Sequence, residues 1–170
     1  MGIFKWLKKP EKQTETNFYN EEEINELEAY IKTNFGEFTE VYHEIVSLDI
    51  HLDLAILPPT QERNYYRLVT MGMGAYRMNV PSALDDYELN YAELMIDLPA
   101  DWKLQSDDEN DYWPLRWLKT VARLPLESNT WVGYGHTIAA GENHETLAAN
   151  NYFEGVGLIH AMNLQGEEAK

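Results

Sequence analysis

The chain has no cysteine and no long apolar run. Without cysteine it forms no disulfide, thiolate metal site or cysteine nucleophile, and this composition fits a reducing compartment, so we expect a cytoplasmic protein. No apolar stretch approaches the roughly 18 residues that a membrane-spanning helix needs. The apolar part of the opening residues MGIFKWLKKP is too short for a secretory signal. Their lysines and aromatic residues would anchor only weakly to a membrane. We therefore predict no membrane partner.

Basic residues are also few, with 13 Lys and Arg against 29 Asp and Glu, which gives a formal net charge of -16. Several of the lysines lie within residues 1–12, so the remainder of the chain is even more acidic. Such a field repels nucleic acid and anionic membranes and speeds encounter with cationic proteins. The alternative is that the charge only maintains solubility. We predict a protein partner and no nucleic acid.

Motifs for phosphate binding and nucleophilic catalysis are missing. There is no GxSxG, no P-loop and no GxGxxG that opens a helix, since Gly72 and Gly74 lie in a region that passes from strand to loop. Glu93 and Asp97 are spaced four apart on a predicted strand and would share a face as an acid and base do, but such pairs are common in strands. We predict no catalytic residue and no cofactor.

A metal site is the least favoured alternative. His51 and Asp53 alternate on one predicted strand face, and His136 and His144 would complete a set of four ligands. No ligand spacing such as HExxH supports the set, and His51 and Asp53 also fit the solvent side of a strand. We predict no metal, and keep a metal-dependent hydrolase only as a third hypothesis.

At 170 residues the chain is long enough for one domain, which we predict over residues 21–170 after a flexible N-terminal tail over residues 1–20. Asn20 and Glu23 form a capping-box pattern, so a helix begins there and ends at Gly36.

A second amphipathic helix is predicted to begin near Asp111, with Pro114 in its first turn and Pro125 beyond its end. Its apolar arc predicts burial on one broad side, and consists of Trp113, Leu115, Trp117, Leu118, Val121, Ala122 and Leu124.

Period-two patterns predict strands in six segments: EVYHEIV, DIHLDLAIL, YYRLVTMGM, NYAELMIDLP, TWVGYGHTI and GVGLIHAM. The order of helix, strands, helix and strands predicts an α+β fold, with a mixed, mostly antiparallel sheet flanked by helices.

Candidate binding residues lie in three places. Gly133 and Gly135 would leave one face of a strand without side chains, with Tyr134 and His136 on the other face. Either the protein's own aromatic residues or a partner peptide could then approach the bare face closely. Met78, with nearby methionines and Tyr76, offers an adaptable surface, although methionines fill cores more often.

A basic stripe of Arg116, Lys119 and Arg123 lies on the second helix. It either neutralises acidic groups within the fold or contacts a partner. Our candidate partner-binding residues are Tyr76, Met78, Arg116, Tyr134 and His136.

Five segments together resemble the Suppressor of fused family in its bacterial single-domain form: HLDLAILPPT, YYRLVTMGMGAYRMNVP, YAELMIDLP, YWPLRWLKTVARLP and NTWVGYGHTI. The resemblance runs from about Glu40 to Met162. It implies a mixed sheet flanked by helices, protein binding and no catalytic residues. Bacterial relatives resemble immunity proteins that hold a toxin domain inactive.

The sequence thus favours a non-enzymatic immunity-type protein that sequesters a cationic toxin by direct contact. The alternative is a regulatory scaffold that binds a peptide by strand addition. The family continues past the equivalent of GVGLIHAM with a further strand and helical segment, so we expect an exposed sheet edge near residues 155–162.

Overall fold

A computed structural model describes residues 16–47 and 49–169. Its elements, in chain order, are α1 (Glu21–Phe35), β1 (Glu40–Tyr42), β2 (Asp53–Leu57), β3 (Tyr65–Met71), β4 (Met95–Pro99), α2 (Glu109–Ser128), β5 (Thr137–Ala139) and β6 (Gly155–Gly157). Two 3₁₀ helices, Met73–Ala75 and Ser82–Tyr87, lie between β3 and β4.

Four strands form one antiparallel sheet in the order β1-β2-β3-β4, and β5 and β6 form a separate antiparallel pair. The predicted α+β fold with a mostly antiparallel sheet is confirmed. The ladders between these strands are all antiparallel, and the parallel element among the described residues is a single bridge between Asn17 and Ile50.

Helix α1 forms as its sequence predicts. The Asn20 side chain accepts from the backbone N–H groups of Glu22 and Glu23, and the Glu23 carboxylate accepts from the Asn20 N–H at 2.8 Å. Gly36, with φ of +106°, ends the helix because this backbone conformation disfavours other residues. The buried side of α1 packs on one face of the sheet through Ile31, Phe35, Ala55, Leu57, Val69 and Met71.

Helix α2 covers the opposite face with Leu115 and Leu118, and its predicted apolar arc is buried except at Leu124, which is partly buried. The contact consists of Leu54, Ile56, Leu68, Leu98, Leu115 and Leu118. The helix begins at Glu109 rather than near Asp111, since the Asp108 side chain caps it by accepting from the Asn110 N–H at 2.9 Å. Pro125 lies inside α2, not beyond it, because the helix continues until Asn129 takes a left-handed conformation.

Several predicted strands are shorter than their patterns. EVYHEIV pairs only at its start, and NYAELMIDLP pairs only from Met95. The prediction that TWVGYGHTI is a strand is wrong before Thr137, because Gly135 has φ of +82° and the His136 N–H bonds back to the Gly133 oxygen at 3.1 Å. Gly133 and Gly135 therefore lie in a turn and do not bare a strand face.

The end of the predicted N-terminal tail is bonded to the domain. The Asn17 N–H donates to the Asp49 oxygen at 2.6 Å, and the His51 N–H donates to the Asn17 oxygen at 2.9 Å. The rest of the predicted tail, residues 1–15, lies outside the described residues. Over residues 16–47 and 49–169, no helix is long and apolar enough to cross a membrane.

Candidate functional site

The carboxylate of Glu93 lies inside the loop that follows β3. Its Oε1 accepts from the backbone N–H groups of Gly72 and Gly74 at 2.9 and 3.0 Å, and its Oε2 accepts from the Met73 N–H at 3.2 Å. Successive backbone N–H groups that converge in this way form a concave anion site. Here the anion is the protein's own side chain, so the loop is closed internally and takes no external phosphate.

Two hydroxyl groups complete this site. Tyr19 donates to Oε1 at 2.8 Å, and Thr70 donates to Oε2 at 2.5 Å. Burial raises the pKa of the Glu93 carboxyl, while the hydrogen bonds from Thr70, Gly72, Gly74 and Tyr19 oppose the rise. Burial and then the Glu93 charge raise the pKa of Tyr19 far above its usual range. The group is a structural clamp that the sequence analysis missed.

The acid–base pair considered for Glu93 and Asp97 does not form. β4 begins only at Met95, so the two residues do not share a strand. Asp97 instead receives a two-pronged ion pair from Arg67, with Nε to Oδ1 at 2.7 Å and Nη2 to Oδ2 at 2.8 Å. Each carboxylate is thus committed to a different partner.

The four residues considered as metal ligands do not come together in the fold. His51 and Asp53 do lie together, with Nε2 to Oδ1 at 3.2 Å. His136 packs its ring edge on Trp131, with the ring centres 4.2 Å apart, and His144 pairs with Glu154 at 2.9 Å. In the part of the chain that the structure describes, no three His, Cys, Asp or Glu side chains form a group that could hold a metal ion.

The basic stripe of α2 is used mostly within the fold. Arg123 bonds to both carboxylate oxygens of Glu44 at 2.6 and 2.8 Å and reaches Asp49 Oδ1 at 3.2 Å. Arg116 pairs with Glu109 and donates to the Leu147 oxygen at 2.8 Å. These contacts fix the β1–β2 loop and the segment before β6 onto α2.

The predicted methionine surface is largely interior. Met78 is 1 % exposed and packs in a core with Leu52, Met73, Ala122 and Val132. We therefore remove Met78 from the candidate surface, because its side chain has no area to offer a partner. Tyr76, near it in sequence, is half-buried.

Tyr134 and His136 lie beside the β5–β6 pair, in a region of exposed large apolar side chains. Tyr134 stacks on His160 with the ring centres 4.3 Å apart and 13° between the planes. Tyr152 is 96 % exposed and Ile159 is 84 % exposed. We call the exposed large side chains along the β5–β6 pair the ribbon surface, which consists of Tyr134, Ile159 and His160 at one end of the pair and of Tyr152 and Phe153 at the other end.

Acidic side chains lie at the end of the ribbon surface that carries Tyr152 and Phe153. Glu154 precedes β6 and holds the loop before it through His144. The same loop carries Glu142 and Glu145, which are exposed and form no ion pair among the described residues. Exposed aromatic groups with an acidic border are suited to a partner that has apolar area and positive charge.

Among the described residues, no strand pairs with the outer edge of β6. In the β5–β6 pair, the Ala140 N–H donates to the Glu154 oxygen at 2.7 Å and the Leu158 N–H donates to the His136 oxygen at 2.9 Å. Because bonded and non-bonded pairs alternate in antiparallel ladders, the main-chain groups of Gly155 and Gly157 point away from β5.

A cleft of about 590 Å³ lies at the far end of the α2 face, where α2 does not cover the sheet. Its lining side chains include Tyr42, Ile56, Pro58, Tyr66 and Trp102. The indole N–H of Trp102 donates to the Asp111 oxygen at 2.8 Å, which fixes the ring on the side of the cleft.

Comparison with known proteins gives a family. No curated protein and no solved structure matches the chain. Residues 48–170 match the model of the family described as Suppressor of fused protein (SUFU). Domains of this type have a protein-interaction role, and the family is a regulatory and binding family rather than a catalytic one. Since the match covers well over half of the chain, this protein belongs to the Suppressor of fused family.

Proposed function

We propose that this protein is an immunity-type inhibitor that sequesters a cationic toxin domain by direct contact. The observation that carries the proposal is the ribbon surface, where the exposed aromatic side chains of Tyr152 and Phe153 lie at the same end of the strand pair as an acidic loop. Aromatic side chains provide much of the affinity of protein interfaces, and the acidic border would select a basic partner. The net charge of -16 would add long-range attraction.

Inhibition by coverage follows from the chemistry of such a toxin. A nuclease, for example, binds phosphate through Lys and Arg, so its active groove is basic. Carboxylates such as those of Glu142, Glu145 and Glu154 would occupy the positions that phosphates take. This function needs no catalytic group, in agreement with the commitment of Glu93 and Asp97 to internal bonds.

The test starts from the full chain, immobilised and exposed to lysate of its native cell at low and at high salt. We expect a cationic protein to be retained at low salt and released at high salt. The gene of the retained protein, expressed alone, should stop growth, and coexpression of this chain should restore growth. Failure to retain any cationic protein at low salt, or growth arrest that coexpression leaves unchanged, contradicts the proposal.

A matched pair of variants locates the surface. Glu142→Lys with Glu145→Lys should abolish retention, whereas Asp85→Lys with Asp86→Lys changes the net charge equally at another exposed site and should weaken it only slightly. Equal loss in both variants would show that overall charge acts alone and that the ribbon surface is not the contact.

A second candidate function is peptide binding by strand addition, which the open edge of β6 favours. Gly155 and Gly157 offer main-chain donors and acceptors without side chains beside them. A peptide array separates the two candidates, because strand addition captures short extended peptides while toxin inhibition needs a folded partner. Binding that survives methylation of the peptide's backbone nitrogens would exclude strand addition.

A further inference from the structure

The cleft on the α2 face is a trough in the sheet surface. Ile56 of β2, 3 % exposed, lies at its base. The aromatic rings of Tyr42 on β1 and Tyr66 on β3 line the cleft from the two strands that flank β2. Pro58, Trp102 and Leu104 complete its apolar lining. Its volume of about 590 Å³ lies within the range of sites that hold small ligands or short peptide segments.

Two polar groups of this cleft are donors without a partner among the described residues. Neither the Tyr42 hydroxyl nor the Tyr66 hydroxyl has a hydrogen bond to another described residue, although both tyrosines are partly buried. Burial, then the Glu40 charge and Tyr66, raise the pKa of Tyr42, so its hydroxyl keeps its proton. Two phenol O–H groups are therefore free to donate to the carbonyl groups of a ligand.

The aromatic lining is held in place before any ligand arrives. The hydrogen bond from Trp102 to the Asp111 oxygen and its edge contact with Trp113, with ring centres 6.2 Å apart, fix the indole. A ring that is already ordered loses little entropy when a ligand packs on it.

The rim of the cleft carries a carboxylate that has no cationic partner among the described residues. Glu40 is exposed at its rim and forms no ion pair among the described residues. The Lys103 ammonium at the same rim lies 3.9 Å from Asp111, which partly neutralises it. A ligand with a cationic residue next to its apolar part complements this rim, whereas a second copy of this chain, with net charge -16, does not.

We propose that this cleft binds a proline-rich segment of a partner protein that carries Arg or Lys beside its prolines. Proline rings pack well on Tyr and Trp faces, and the polyproline II conformation leaves its carbonyl groups free because it has no internal hydrogen bonds. The hydroxyls of Tyr42 and Tyr66 donate to these carbonyls, and Glu40 attracts the cation. This site shares no lining residue with the ribbon surface, and its proposal does not depend on the toxin proposal.

The test uses a short synthetic peptide of proline pairs separated by single arginines, titrated into the full chain to millimolar concentration. The reporter is the Trp102 indole N–H signal in a nitrogen-15 NMR spectrum, assigned by Trp102→Phe. We expect this signal to shift and saturate with the proline peptide. A peptide in which alanine replaces each proline should leave it unmoved.

Variants of the residues that line the cleft test which groups bind the peptide. Tyr42→Phe with Tyr66→Phe keeps the rings and removes only the free hydroxyls, so we expect an intact fold and affinity reduced about fivefold or more. Glu40→Lys should weaken the arginine-bearing peptide but not plain polyproline. Tyr87→Phe, at an exposed tyrosine elsewhere, should change nothing. An unmoved Trp102 signal, equal binding of the alanine peptide, or full affinity in the double variant overturns the proposal.

Discussion

Tyr19 and Glu93 lie 74 positions apart and share a hydrogen bond of 2.8 Å from the phenol O–H to Oε1. Tyr19 stands just before α1, ahead of the region that matches the family model, and Glu93 lies inside that region. The contact therefore joins the N-terminal part of the domain to the loop after β3. It also explains why that loop contains glycine, because a Cβ on Gly74 would lie 2.1 Å from the Tyr19 oxygen.

Removal of the Tyr19 hydroxyl should destabilise the protein. Tyr19→Phe deletes one of the donors to a buried carboxylate, so we expect the free energy of unfolding to fall by about 1–2 kcal/mol. Urea unfolding followed by circular dichroism measures the change. Tyr87→Phe, at a tyrosine that is 70 % exposed, is the control and should have no effect. Equal stability of the two variants would refute the clamp.

Addition of a methyl group at Gly74 should also destabilise the fold, by a clash with the same hydroxyl. We expect Gly74→Ala to lower the free energy of unfolding by about 1–3 kcal/mol. The loss should be smaller in the Tyr19→Phe background, because the nearest remaining ring atom lies 3.3 Å from the added Cβ. The double-mutant cycle measures this coupling. Gly157→Ala is the control, since no atom lies within 4 Å of its added Cβ. Additive effects would argue against the clash.

Arg123 should be far more important for stability than its neighbour on the same helix side, Lys119. Arg123→Met leaves the carboxylates of Glu44 and Asp49, which are largely buried, without their cation, and we expect a loss of about 2–4 kcal/mol. Lys119→Met removes a charge that has no ion pair among the described residues and should change stability little. Thermal and urea unfolding compare them. Similar losses would contradict the assigned role of Arg123.

The contact of His144 with Glu154 should depend on pH. The hydrogen bond that His144 donates to Glu154, and then the charge of Glu154, raise the pKa of His144 above its ordinary value of 6.5. The ion pair is therefore complete below the ordinary pKa and is lost as the pH rises through the raised one. An NMR titration should give a midpoint for His144 above 6.5, and Glu154→Gln should lower it. A midpoint that Glu154→Gln leaves unchanged would exclude the contact in solution.

The helices could be predicted from sequence because their signals are local. Asn20 and Glu23 satisfy the free N–H groups of α1 within one turn, and Gly36 supplies the conformation that ends it. The apolar arc of α2 also predicted its buried side. The end of α2 was misplaced because Pro125 breaks one helical bond without ending the helix when Asn129 can close the last turn.

The positions of the candidate residues in the fold were predicted only in part. Tyr134 and His136 do lie beside a strand pair, but as members of a turn, since a period-two pattern does not reveal the positive φ of Gly135. Met78 was placed on a surface because a methionine pattern fits a core and an exposed patch equally well. The cleft of Tyr42, Tyr66 and Trp102 had no signal at all, because its residues come from three separate segments.

The sequence by itself determined the caps of α1, the buried side of α2, the antiparallel class of the sheet and the acidic charge, because each depends on neighbouring residues or on composition. Only the tertiary structure decided which carboxylates are bonded within the fold, such as those of Glu93 and Asp97, and which aromatic side chains stay exposed, such as Tyr152. The physical reason is that a hydrogen bond or a buried contact depends on distance in space. Residues such as Tyr19 and Glu93, which are 74 positions apart in the sequence, meet only in the folded chain.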